Sequence, residues 1–199
     1  EKGWLGRALY RLVRNPVFLF GVVPFYTFFL QNRLPVHLMR SGWRYWLSAM
    51  ATNAAIGLTL TLIVWLGGWD VLLFVFLPTM LLAAMAGMWF FYVQHQFEET
   101  SWEYDDDWNI QEAALHGSSH YALPGVLRWI TGNIGVHHVH HLASRIPFYR
   151  LPEVIEDHDL LAHSKRITFW ESLRCARLHL WDEQRGRLLS FAEARASAA

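Results

Sequence analysis

YWLSAMATNAAIGLTLTLIVWLGGWDVLLFVFLPTMLLAAMAGMWFFYVQHQF, residues 45–97, contains no Lys or Arg and a single acidic residue before its end, Asp70. Residues 45–69 and 71–97 each exceed the roughly 20 apolar residues that a membrane-crossing helix needs. Gly67-Gly68-Trp69-Asp70 separates them, a turn signal with Trp placed for a membrane interface. The pattern predicts two helices, 45–66 and 71–94, folded as a transmembrane helical hairpin. Arg33, Arg40 and Arg44 precede the first, and the turn has no cation. The positive-inside bias then puts both ends, and everything after residue 94, in the cytoplasm. The expected fold is an all-α membrane protein: a transmembrane hairpin (45–94) followed by a cytoplasmic, helical, histidine-rich region (95–199).

The flanks agree with this frame. Hydrophobic residues make up 53% of the 199, only somewhat above a soluble protein, so their distribution carries the assignment. Seventeen basic residues balance seventeen acidic ones, which gives no basis for a nucleic-acid partner. A single cysteine, Cys175, excludes an internal disulfide and a multi-cysteine zinc site. Residues 1–14 set Lys2, Arg7, Arg11 and Arg14 against Trp4, Leu5, Leu9 and Leu12, an amphipathic basic pattern without the features of a signal peptide. Residues 16–30 are apolar but short for a bilayer, and Gly21 and Pro24 are expected to interrupt them. The segment 1–44 therefore reads as interfacial or re-entrant.

Chemistry concentrates further on. In Gly135-Val136-His137-His138-Val139-His140-His141-Leu142, four of the eleven histidines occupy five positions. On a helix, offsets of three and four share a face, so His137, His140 and His141 face one way and His138 another. Three converging imidazoles suit a borderline metal such as iron or zinc. His95 ends the second apolar helix beside Glu98 and Glu99. It reads equally as a metal ligand, with Glu98 as an acceptor behind it, or as a cation capping the helix dipole. His116 and His120 flank Gly117-Ser118-Ser119, a break that places them on a loop as weaker metal candidates. Asp105-Asp106-Asp107 lacks the glycine and bidentate Glu of a calcium loop. These acids are expected at the start of a helix over about 108–115, capped by Asp107 or Asn109. No HExxH occurs, which excludes the zinc-protease pattern.

After Pro147 and Pro152, Thr168-Phe169-Trp170-Glu171 fits a capping box. It predicts an amphipathic helix with Leu173, Ala176 and Leu180 on its apolar face and arginines on the other. Residues 190–199 read as a frayed tail.

The succession of membrane hairpin, His95-Gln96-Phe97-Glu98-Glu99-Thr100, and Gly135-x-His-His-Val-His-His-Leu-x-Ser-Arg-Ile-Pro-x-Tyr resembles the C-terminal half of the membrane-bound fatty acid desaturases. The bacterial acyl-lipid type that includes the Δ12 (omega-6) enzymes is the nearest pattern, and the likeness extends over about 16–187. His137, His140 and His141 match the family's third histidine box, HxxHH. The resemblance implies an O2-dependent di-iron oxidoreductase that introduces a double bond into a membrane lipid acyl chain. His95, His137, His140 and His141 would be iron ligands. A ferredoxin-like electron donor and the lipid bilayer would be the partners, and a bacterial inner membrane the location, with several passes. Two earlier boxes, HxxxH and HxxHH, have no counterpart upstream of His95, where His37 is the only histidine. The expectation is therefore a partial desaturase domain, inactive alone. A hydroxylase, ketolase or epoxygenase of the same di-iron superfamily, and a non-catalytic membrane protein, remain as alternatives.

Overall fold

Helix α3 (Trp43–Val71), a π-helical stretch (Leu72–Phe76) and helix α4 (Leu77–His95) form one apolar helical run in the computed structural model. The structure describes residues 3–103, 108–162 and 164–197. Among them this run alone is a single helix long and apolar enough to cross a membrane. Its backbone leaves helical geometry at Gly68, with φ 79° and ψ 174°. The expected four-residue turn thus contracts to one residue, with Trp69 and Asp70 already helical. That backbone conformation is essentially confined to glycine, because a Cβ clashes there. No residue of α3 is buried, and Trp65, Leu66 and Phe74 are about three-quarters exposed.

The chain divides into two compact units, one ending at Trp89 and the other beginning at Phe90. In the first, helix α1 (Trp4–Val13) has no acidic residue in its first turn and no buried residue. Helical structure then continues through a π-turn (Phe18–Val22), α2 (Val23–Phe25), a second π-turn (Tyr26–Leu30) and a 3-10 turn (Gln31–Arg33). Gly21 and Pro24 do not interrupt this segment, contrary to expectation. The wider π-turns on both sides of Pro24 absorb its missing N–H and ring. The bend falls earlier: α1 and Phe18–Arg33 meet at 64°, where the Asn15 side chain accepts the Val17 N–H at 3.0 Å. Arg33 and Asn53 tie the segment to α3. The Asn53 amide donates to the Arg33 carbonyl (2.7 Å), and the Arg33 guanidinium donates to the Phe28 carbonyl (3.1 Å).

The second unit builds the histidine region. Helix α5 (Ile110–His116) starts at Asn109, whose side chain accepts the N–H groups of Gln111 and Glu112. It begins two residues later than expected. The Asp105–Asp107 run lies outside the described residues. Strand β1 (His120–Ala122) pairs in parallel with β2 (Arg166–Thr168), and helix α6 (Gly125–Ile130) follows β1. Helix α7 (His137–Leu142) packs near α8 (Leu151–Asp157) through the buried Val136, Val139 and Leu151; α9 (Asp159–Ala162) comes next.

Helix α10 (Phe169–Cys175) opens with the expected capping box. It does not reach Leu180. That residue lies in β3 (Leu180–Asp182), antiparallel to β4 (Arg187–Leu189). The Asp182 carboxylate accepts two N–H groups of the connecting turn, and Gly186 supplies the positive φ (58°) that closes it. The expected long amphipathic helix is therefore a short helix and a hairpin. The expected tail is likewise a helix, α11 (Phe191–Ser197). Ser190 and Glu193 cap it reciprocally, the Ser190 N–H donating to the Glu193 carboxylate and the Glu193 N–H to the Ser190 hydroxyl. The described chain is mostly helical, with two small two-stranded sheets added.

Candidate metal centre

Two elements aim the histidines. His95 is the last residue of α4, just past the buried Tyr92, Val93 and Gln94. His137 and His141 lie four apart on α7, whose inner face is fixed by the buried Val139. The three Nε2 atoms converge: 2.9 Å between His137 and His95, 3.0 Å between His141 and His137, and 3.4 Å between His141 and His95. Nitrogens about 2.1 Å from one ion stand roughly 3.0 Å apart at right angles and roughly 3.4 Å apart at a tetrahedral angle. The trio matches that range, so these side chains could hold a metal ion.

Tautomers support the fit. Nδ1 of His95 lies 3.2 Å from the Gly117 carbonyl, which can only accept, so Nδ1 carries the hydrogen. The neutral ring then presents a bare Nε2 lone pair to the other two histidines. Burial, followed by the neighbouring His95 and His141 rings, pushes the His137 pKa down to about 3. Burial, followed by the neighbouring His95 and His140 rings, lowers that of His141. Protons therefore compete weakly for these nitrogens at neutral pH. A hydrogen on one ring relieves one of the three contacts; a cation relieves all of them. Beside the trio lies a cavity of about 460 Å³, lined by His95 and His141 together with Trp102, Trp108, Glu103 and Glu112.

The other candidates lie elsewhere. The His140 ring stacks on that of His137 at 5.7 Å between centroids and stands 6.0 Å from His141, outside the converging trio. His138 is fully buried and turned away, its Nε2 donating to the Leu161 carbonyl at 3.0 Å. The Glu98 carboxylate pairs with Arg187 rather than standing behind His95. His116 is exposed and pairs with Glu112 at 3.3 Å. His120 sits in β1 with its ring 6.0 Å from His138, and burial and the neighbouring His138 and arginine charges push its pKa to about 4. Sequence reasoning missed the Gly117 carbonyl and the Gln94 side chain, which donates to the Ile134 carbonyl at 2.8 Å. A backbone acceptor leaves no trace in the residue types.

These observations define a predominantly helical chain with one long apolar run and three histidines that could hold a metal ion. The family model for fatty acid desaturases matches residues 1–172, and the chain belongs to the fatty acid desaturase family. It is 40% identical over 185 residues to a protein of Bacillus subtilis (strain 168) named fatty acid desaturase, an alignment that covers 93% of this chain. The chain spans about half that relative's length, 52%.

Proposed function

We infer that these residues form part of the iron centre of a membrane-bound desaturase that introduces a double bond into a lipid acyl chain, using O2. The convergence of the His95, His137 and His141 Nε2 atoms carries the reading. Iron supplies the redox chemistry that an unactivated C–H bond demands. His95, His137 and His141 hold one metal position through neutral imidazoles, and His140 is the donor on α7 available to a second iron. The Gly117 carbonyl orients His95, and Val139 and Leu151 keep the inner side of α7 dry. A ferredoxin-like donor supplies electrons, and the hydrocarbon substrate arrives from the bilayer.

The proposed location is a bacterial inner membrane, crossed at least twice. At 1.5 Å per residue, 53 helical residues extend about 80 Å, well over twice the roughly 30 Å hydrocarbon thickness. Gly68 divides that length near its middle. Exposed Trp65, Leu66 and Phe74 suit lipid and would be an aggregating surface in water. By themselves these 199 residues are proposed to hold one metal ion and to leave acyl chains saturated, because one trio fills one metal position. The test is iron analysis and acyl-chain profiling of cells carrying a full-length desaturase that contains this sequence, with and without His137→Ala. New double bonds that vanish with the substitution support the reading. Unsaturation that survives loss of His137 overturns it.

A further inference from the structure

We propose that Gly117 is a positioning residue for the metal centre: its carbonyl fixes the tautomer and aim of His95, and the Ser119 contacts hold that carbonyl in place. The proposal rests on the metal-site reading and deepens it.

Gly117 ends α5, donating its N–H to the Ala113 carbonyl at 3.0 Å. The next two residues are locked. The fully buried Ser118 hydroxyl donates to the Ala114 carbonyl at 2.6 Å. Ser119, equally buried, donates its N–H to the Gln94 carbonyl at 3.0 Å and its hydroxyl to the Val93 carbonyl at 3.4 Å. Those are the two residues immediately before His95. The loop therefore satisfies carbonyls at the open end of α4, which lack helical partners, and uses its own Gly117 carbonyl to accept from His95 Nδ1. Gln94 anchors the same turn from the other side through the Ile134 carbonyl, on the approach to α7.

Glycine is required at 117 for space, not for φ. Its φ is −88°, open to any residue, but a Cβ there would lie 2.5 Å from the Ala113 carbonyl oxygen. That oxygen is backbone and cannot swing aside as a side chain would, so an added methyl must push the Ala113 and Gly117 peptides apart and with them displace the Gly117 carbonyl that faces His95. A partner that holds the far nitrogen of a ligating imidazole sets its orientation and basicity, and its loss typically costs about 10- to 100-fold in metal affinity.

Two measurements on the chain in detergent test this. The first is 15N NMR of the histidine-labelled, metal-free protein, with the His95 signal assigned by its loss in His95→Gln. Nδ1–H, Nε2-bare is the expected tautomer, and Nε2–H overturns the proposal whether or not any variant folds. The second is Co(II) titration followed by the visible ligand-field spectrum, comparing wild type, Gly117→Ala and a stability control, Thr168→Ala. Gly117→Ala should weaken binding about 10-fold or more and change the spectrum, while Thr168→Ala lowers the melting temperature and leaves both unchanged. Unaltered affinity and spectrum in a folded Gly117→Ala overturn the proposal. Failure of the wild type to bind Co(II) defeats the metal-site reading instead, and the tautomer measurement still decides the role of Gly117.

Discussion

Nδ1 of His95 and the buried face of α7 together aim three Nε2 atoms at one point, and each can be removed singly. His95→Ala, His137→Ala or His141→Ala should each abolish stoichiometric metal binding, measured by elemental analysis of the purified chain. His138→Ala should retain the metal, since its ring points to Leu161. On the proposed reading, His140 separates a one-metal chain from a two-iron enzyme. His140→Ala should leave metal affinity of these 199 residues within about twofold, yet abolish desaturation in a full-length enzyme. Helical geometry explains the split. On a helix of about 3.6 residues per turn, His141 lies only about 40° round from His137, whereas His140 lies about 60° to the other side. Shared-face spacing was legible in the sequence; that one member of the face would stand apart was not, because a third position, His95 on α4, sets where the pocket is. The thiol of Cys175 provides a pH prediction. It is 5% exposed, and burial pushes its pKa up to about 11. Ionisation therefore favours the unfolded chain: the stabilising effect is full below the ordinary thiol range and fades as pH rises towards 11. Iodoacetamide at pH 8 should label the unfolded protein readily and the folded protein negligibly; equal rates would place Cys175 at the surface.

Elements are held at their ends, and the ends can be tested. Thr168→Ala and Ser190→Ala each remove a reciprocal cap and should cost about 1 kcal/mol in thermal unfolding. The two boxes share one pattern, a hydroxyl residue with Glu three positions on. The first was legible because an apolar run follows it. The second was masked by its place near the end of the sequence, where fraying is the ordinary outcome. The β3–β4 hairpin was hidden differently: Leu180 fits the apolar spacing of α10, and only the Asp182 turn and Gly186 mark the reversal. Gly68 is the other decisive end. Gly68→Ala puts a Cβ into a conformation reserved for glycine and should cost about 1–3 kcal/mol, although open space surrounds the site. Gly57→Ala, inside regular helix and equally open, should be neutral or stabilising by up to about 1 kcal/mol. Unfolding of both variants in one detergent system checks the contrast. Equal effects would mean that Gly68 is not the point where the helical run breaks.

At the scale of the whole molecule, the distribution of charge argues for the topology. No Lys or Arg occurs from Tyr45 to Leu127, and arginines cluster immediately before it. In the proposed topology, a positive charge retained on the cytoplasmic side puts Arg33, Arg40 and Arg44 inside, Gly68 and Asp70 outside, and the histidine trio inside again. Two passes need a reversal within 53 residues, and Gly68 is where the helical backbone breaks. Asp70→Cys and Glu112→Cys separate the alternatives, with the native Cys175 replaced by Ser to clear the background. In intact bacterial spheroplasts an impermeant maleimide should label Asp70→Cys at once, and Glu112→Cys only after permeabilisation. The reverse pattern would put the histidines outside, where a cytoplasmic ferredoxin-like donor could not reach them. Labelling of both without permeabilisation would mean a single pass at most. The first result inverts the hairpin and the second removes it, and either one ends the proposed route by which lipid and electrons meet at His95, His137 and His141.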